Sequence, residues 1–378
     1  MPNLNTAKFT LTGMGMKRSL KDRLDDGFLN VMSFGATGDG TTPDNVAIQA
    51  ALDAAGGSAI GDAEGSASAT TTGKIIRFPP GQYKITQPLV FKRLFGANLI
   101  GAGRHQTRLF WSGPEVMGEG DTSDLSTPIS SLIEAKDSQH VRIEGMTLDA
   151  GGVQDNVYRL MRYSTAPYHS SGTDGHYRDV HFTNGANTGV LAWGDTFASE
   201  QLYENCAFTN CPVYGVRIIQ ANALNHNFYN CYFANNGSGY DQVVGGCGKF
   251  YGCRFYNNSV VDIHHQQAAA AIIYCYSTSK NFASADGTIL GCRHDGPVGG
   301  FFYTSSINVI PGDVGAGGWR TGTDGASVEC IGNYSTNGNL IGNSSAHVML
   351  TGNRFDNASY LGGLEAGSIV RVDGVPYP

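Results

Sequence analysis

Glu204-Asn-Cys-Ala-Phe-Thr-Asn210, Tyr229-Asn-Cys-Tyr-Phe-Ala-Asn235 and Tyr251-Gly-Cys-Arg-Phe-Tyr-Asn257 are copies of one short pattern. Aligned on Cys206, Cys231 and Cys253 they lie 25 and 22 residues apart; Cys275 follows after 22 and Cys292 after 17. Arg178-Asp-Val-His-Phe-Thr-Asn184 is an earlier copy, and Thr351-Gly-Asn-Arg-Phe-Asp-Asn357 a later one in which Asn353 takes the place of cysteine. A unit of this size cannot bury a core alone, so the period implies stacking of unit on unit. Leucine-rich repeats share the period but need a leucine spacing that is missing here. β-Branched and aromatic residues between glycine and asparagine turns instead read as several short strands per coil. The expected fold is all-β, a right-handed parallel β-helix, with Cys, Phe and Asn repeating in register. At about 4.8 Å per coil, about 12 coils across residues 75–370 would make a rod about 60 Å long.

The composition suits that reading. Only 15% of the 378 residues are charged and 52 are glycine, which favours tight turns over long amphipathic helices. The net charge of −7, with 25 scattered Lys and Arg, lacks the basic footprint of a nucleic-acid binder. No apolar stretch reaches the roughly 18 residues of a membrane-spanning helix. The opening Met1-Pro-Asn-Leu-Asn-Thr-Ala-Lys8 is polar, and no signal peptide is visible. All 8 cysteines fall between Cys206 and Cys330, several at one repeat position, so stacked, reduced core thiols are expected in place of disulfides.

Residues 1–29 read as a neck or arm, and residues 30–378 as the β-helix domain. That domain is expected to begin with a capping helix over 43–55, with Thr42 as N-cap, Pro43 at the first position and Val46, Ala47, Ile48, Ala51, Leu52 and Ala55 on its apolar face. Gly56 to Gly73 reads as a surface loop, and Lys74 to Thr86 as strand, proline-glycine turn, strand.

Asn30-Val-Met-Ser-Phe-Gly-Ala-Thr-Gly-Asp-Gly-Thr-Thr-Pro-Asp-Asn-Val-Ala-Ile-Gln-Ala-Ala-Leu-Asp53 resembles the opening motif of the pectate-lyase-like superfamily of β-helix proteins, and Phe78-Pro-Pro-Gly-Gln-Tyr83 its next motif. Arg18-Ser-Leu-Lys-Asp-Arg-Leu24 is similar to the neck that precedes the β-helix in bacteriophage tailspikes. These resemblances imply a homotrimer that binds, and often depolymerises, surface polysaccharide, placed outside the cell or on a phage virion tail. No cofactor, nucleic-acid partner or membrane insertion is expected, and the resemblances fix the scaffold more firmly than the chemistry.

The face that could carry chemistry follows by counting from each rung phenylalanine. Nine residues beyond Phe182, Phe208, Phe233 and Phe255 stand Leu191, Arg217, Gln242 and His264, beside inward Val190, Val216 and Ile263. Alternation turns that column outward, with Asp262 on the same face. A gapless count turns Asp241 inward; a one-residue bulge near Gly237-Ser-Gly239 would bring it out beside Asp262. Asp241 and Asp262 would then form the carboxyl pair of a glycoside hydrolase, supported by His264 and Arg217. The same cluster suits a lyase, with Arg217 neutralising a uronate and His264 removing the ring proton; a non-catalytic spike is the third reading. Gln242, Trp193, Asp195 and Trp319 are expected to bind substrate. Adjacent His264 and His265 point to opposite faces, so no metal site is expected. Two excursions, one with His169, Asp174 and His176 and one with Phe301, Phe302, Tyr303, Trp319 and Arg320, are expected to wall the groove.

Overall fold

The computed structural model describes residues 28–55, 74–92, 96–116, 131–136, 140–161, 175–194, 200–219, 225–244, 248–279, 281–295, 299–303, 327–335, 338–341, 347–355, 369–372 and 375–376. They form one sheet of 32 short strands, each paired with the strand one coil away. The pairings are parallel, except where Ile369–Val372 meets Val375–Pro376. The chain is therefore a right-handed parallel β-helix with three faces. Leu202–Glu204, His226–Tyr229 and Gly248–Tyr251 lie on face 1. Ala207–Thr209, Tyr232–Ala234 and Arg254–Tyr256 lie on face 2. Tyr214–Ile219, Ser238–Val244 and the start of Val261–Ile273 lie on face 3.

Asparagine and aspartate make the corners. Asp179, Asn205 and Asn230, between faces 1 and 2, and Asn184, Asn210, Asn235 and Asn257, between faces 2 and 3, have φ between 52° and 58°. These side chains tolerate the left-handed region, which bulkier residues avoid. Stacking then brings like onto like. Phe182, Phe208, Phe233 and Phe255 stack with ring centres 4.8–4.9 Å apart. Tyr177, Tyr203, Phe228 and Phe250 form a second stack at 4.6–4.9 Å, edge-on to the first. Each fully buried ring contributes about 2–3 kcal/mol of apolar burial.

The cysteine column is a hydrogen-bonded ladder. Cys231 Sγ donates to Tyr203 O and Cys253 Sγ to Phe228 O, each at 3.4 Å, one coil away. Asn333 and Asn353 continue it, donating through Nδ2 to Ile289 O at 2.9 Å and Cys330 O at 2.7 Å. Cysteine and asparagine thus share a position because both donate to the carbonyl of the coil before. The seven described cysteines are free and buried. Burial pushes the thiols of Cys231, Cys253 and Cys292 up, away from the reactive thiolate.

Helix α1 spans Asn45–Ala55, so it starts later than Thr42 and Pro43 suggest. Pro43 ends a strand, Asp39–Pro43, in register with Lys84, and the helix takes its first bond through Asp44, whose carbonyl accepts from Ile48 N at 2.9 Å. The Asp44 carboxylate instead holds the turn before it, accepting from Thr37 N at 2.6 Å. Ile48, Ala51, Leu52 and Ala55 are buried as expected, whereas Val46 is 77% exposed. Gln49 closes the edge of the coil: Nε2 donates to Val90 O and Oε1 accepts from Val90 N, both at 2.9 Å. Residues 1–27 of the expected neck and the 56–73 loop lie outside the described residues, whereas Phe28 and Leu29 pair with Ile75 and Ile76 as part of the coil.

Candidate active site

Face 3 depends on the bend that feeds it. Four residues, 210–213 and 257–260, join faces 2 and 3 on two coils, but only Asn235 to Gly237 do so on the coil between. The tight bend requires Gly237, since a Cβ there would stand 2.4 Å from Val213 O and 2.5 Å from Pro212 O. The register therefore shifts by one residue through a shorter bend, where a bulge was expected. Tyr240 aligns with Val216 and Ile263 in the interior, and Asp241 aligns with Arg217 and His264 on the outside.

The outward column accordingly runs Leu191, Arg217, Asp241, His264. His264 Nδ1 lies 2.5 Å from Asp241 Oδ1, and Arg217 Nε lies 3.2 Å from Asp241 Oδ2. One carboxylate thus joins a cation from the coil before to an imidazole from the coil after. Arg217 also lies over the Tyr214 ring, 4.4 Å from its centre, which fixes the guanidinium plane. All three polar side chains are well shielded, at 12%, 6% and 7% exposure for Arg217, Asp241 and His264. Low local dielectric strengthens their mutual attraction.

Two expected members of this face turn inward. Gln242 aligns with Ile218 and His265, is fully buried, and accepts a hydrogen bond from the Tyr240 hydroxyl. Asp262 is also fully buried, accepting from Asn258 Nδ2 at 2.8 Å and from Ser277 Oγ at 2.5 Å. It stands at the corner of the coil, one turn beyond Gly239, where a Cβ would meet Asn258 Nδ2 and Phe255 Cδ1 at 3.3 Å. The hydrogen bonds to Asn258 and Ser277 hold Asp262 inside although the strand has begun at Val261, so the two-residue spacing to His264 does not keep them together. Burial, against the lowering influence of its hydrogen-bond donors, pushes the Asp262 carboxyl up to about 7. His265 does face away from His264; it is buried and its Nε2 accepts from Gly248 N at 3.2 Å.

Trp193 is placed by its backbone, aligned with Leu160 and Ile219. Asp195 and Trp319, with His169, Asp174 and Arg320, lie outside the described residues. His176 begins a strand on face 1 and meets Glu204 Oε2 at 2.8 Å.

A concavity on face 2 was not anticipated. It is a cleft of about 690 Å³ whose lining includes Arg104, Asp179, His181, Tyr232 and Arg254. Arg104 Nε pairs with Asp179 Oδ1 at 3.2 Å, and His181 Nε2 lies 2.8 Å from Thr209 Oγ1. Burial, and next the Arg104 charge, hold the His181 imidazole below its ordinary value. The sequence carried a usable signal for this face: its outward residue is the one directly after each ladder cysteine or asparagine.

Comparison with known proteins agrees with the architecture. Residues 28–113 match the family model described as Rhamnogalacturonase A/epimerase, pectate lyase-like. A stretch of 63 residues, 17% of the chain, is 43% identical to a protein of Arthroderma benhamiae described as "Probable glucan endo-1,3-beta-glucosidase", and takes in 7% of that protein's length. Among solved structures, the tailspike gp42 of Acinetobacter phage vb_AbaP_AS12 superposes with a TM-score of 0.56 at 11% identity, over 93% of this chain and 64% of that one. The catalytic unit of a GH87 α-1,3-glucanase from Streptomyces thermodiastaticus gives 0.53 at 14% identity, over 92% and 67%. The chain thus spans about two thirds of those two structures and far less of the curated relative. It is a parallel β-helix protein, and the match to a pectate-lyase-like family model is confined to residues 28–113.

Proposed function

We propose that this protein is a polysaccharide-degrading enzyme, an endo-acting glycoside hydrolase of the tailspike kind, with its chemistry in the Arg217, Asp241, His264 column. The observation that supports this is the column itself: three ionisable side chains from three successive coils meet on the outer side of one face. A long glycan laid across stacked coils is cut internally. Asp241 supplies negative charge opposite an oxocarbenium-like transition state. His264, which meets Asp241 through Nδ1, is the group for proton transfer in this reading, and Arg217 positions Asp241. The short likeness to the glucan endo-1,3-β-glucosidase supports the same reaction class; the shared scaffold alone does not. In this reading the protein acts outside the cell, as part of a phage tail, and assembles as a homotrimer.

A second reading, β-elimination on a uronate, is favoured by the inward turn of Asp262. Hydrolysis calls for two carboxyl groups facing the sugar, whereas elimination needs a base and a cation that neutralises the substrate carboxylate. The test is to incubate the protein with bacterial and plant polysaccharides and assay both reducing ends and ultraviolet-absorbing unsaturated ends. New reducing ends alone mean hydrolysis; unsaturated ends mean elimination; binding without shortening rejects an enzyme. Asp241→Asn is expected to lower turnover about 10²–10⁴-fold with folding intact, while Asp262→Asn retains it. Equal turnover of Asp241→Asn and the parent removes this column from consideration.

A further inference from the structure

Face 2 carries, on its outer side, a row not used by the column on face 3. Pairing aligns Tyr232 with Arg254, Arg254 with Tyr276, Tyr276 with Arg293, Arg293 with Tyr334 and Tyr334 with Arg354. Aromatic and cation alternate over six successive coils, so like residues recur about every 9.6 Å along the axis. Tyr232 is 38% exposed, Arg254 and Arg354 are exposed, and the Arg293 side chain is 60% exposed. Tyr334 lies between two guanidinium groups, with Arg293 Cζ and Arg354 Cζ each 5.5 Å from its ring centre. The row opens at Tyr232 and Arg254 into the face 2 cleft, where the lining acid Asp179 is already paired with Arg104. Among the described residues no acid pairs with Arg254, whereas Arg293 is held by Asp295 at 2.6 Å.

We propose that this row is a binding track for an anionic polysaccharide, an extended chain whose acidic groups recur along its length, separate from the cleaving column on face 3. It rests on the polysaccharide reading and adds the charge of the substrate. Guanidinium forks take carboxylates in paired hydrogen bonds, and tyrosine hydroxyls and ring edges suit the hydroxyl and C–H groups of a sugar, which needs no open stacking plane. A track of positive charge on a chain of net charge −7 is a local exception that selects an acidic ligand. Single-stranded nucleic acid also uses cations and aromatics, but its bases need open stacking planes. Here the rings crowd each other: Tyr256 lies 5.3 Å from Tyr232 and 5.7 Å from Tyr276, tilted by 42° and 63°.

The experiment is affinity electrophoresis of the full chain, carrying Asp241→Asn so that the gel polymer stays intact, in gels cast with polygalacturonate, hyaluronate or neutral dextran. Retardation is expected in at least one acidic polymer and not in dextran. Adding Arg254→Ala and Arg354→Ala should weaken it by about tenfold or more. Lysine at both positions should keep part of it, because charge survives without the fork. The exposed positions leave folding intact, checked by thermal unfolding. No retardation in either acidic polymer, equal retardation in dextran, unchanged binding by the double variant, or retention of an oligothymidylate probe in place of the polysaccharides would each overturn the track. Cleavage assays with Arg254→Ala and Arg354→Ala introduced into a chain that keeps Asp241, on a short oligosaccharide, read the face 3 column separately, so failure of one site is distinguishable from failure of the other.

Discussion

The carboxyl of Asp262 has exchanged water for Asn258 and Ser277, and burial holds it protonated up to about pH 7. The folded chain therefore keeps a proton that the unfolded chain, with the ordinary carboxyl value of 3.8, releases earlier. Stability is greatest below the unfolded value, falls as pH rises from about 4 to about 7, and is level above that. Relative to Asp262→Asn, the wild type should lose on the order of 1–4 kcal/mol across this window, read from denaturant unfolding at several pH values. Parallel pH profiles for the two proteins would show that Asp262 enters the fold already ionised. His264 and Asp241, by contrast, meet each other directly, so their role is read by turnover and not by stability.

The bend Asn235 to Gly237 decides which residues of Ser238–Val244 face out. One residue fewer than in the neighbouring bends exchanges Gln242 for Asp241 on the outer side. Gly237→Ala would drive a methyl into Pro212 O and Val213 O, and a cost of about 1–3 kcal/mol is expected. Because the bend sets the register, activity should fall further than the loss of folded protein accounts for. Thermal unfolding beside turnover at a permissive temperature measures this; a variant as stable and active as the parent would show that the bend has slack.

At the scale of the whole molecule, columns of like or alternating chemistry run parallel to the axis through the described coils: two aromatic stacks and a cysteine ladder inside, a tyrosine and arginine row outside. Each coil contacts chiefly its neighbours, so stability grows by addition and the ends need covers such as α1 with Gln49. Three such rods side by side would place the faces of one chain next to those of another. Light scattering of the purified protein should give about three times the 40.1 kDa of one chain. A mass of one or two chains would reject the trimer.

The spacing of Cys206, Cys231 and Cys253 was enough to establish the coil, the stacked cores and the asparagine corners, because each coil repeats the same local chemistry in the order of the chain. It also placed Arg217 and His264 on one outward column. It left Asp241 to a one-residue shift near Gly237, which the structure supplies as a shorter bend, and it misplaced Gln242 and Asp262. Counting assumes bends of equal length and alternation that starts at once, whereas backbone crowding at Gly237 shortens one bend and a buried corner draws Asp262 to Asn258 and Ser277. Periodicity is local and survives in one dimension; which carboxylate meets which cation depends on how neighbouring coils fit in three.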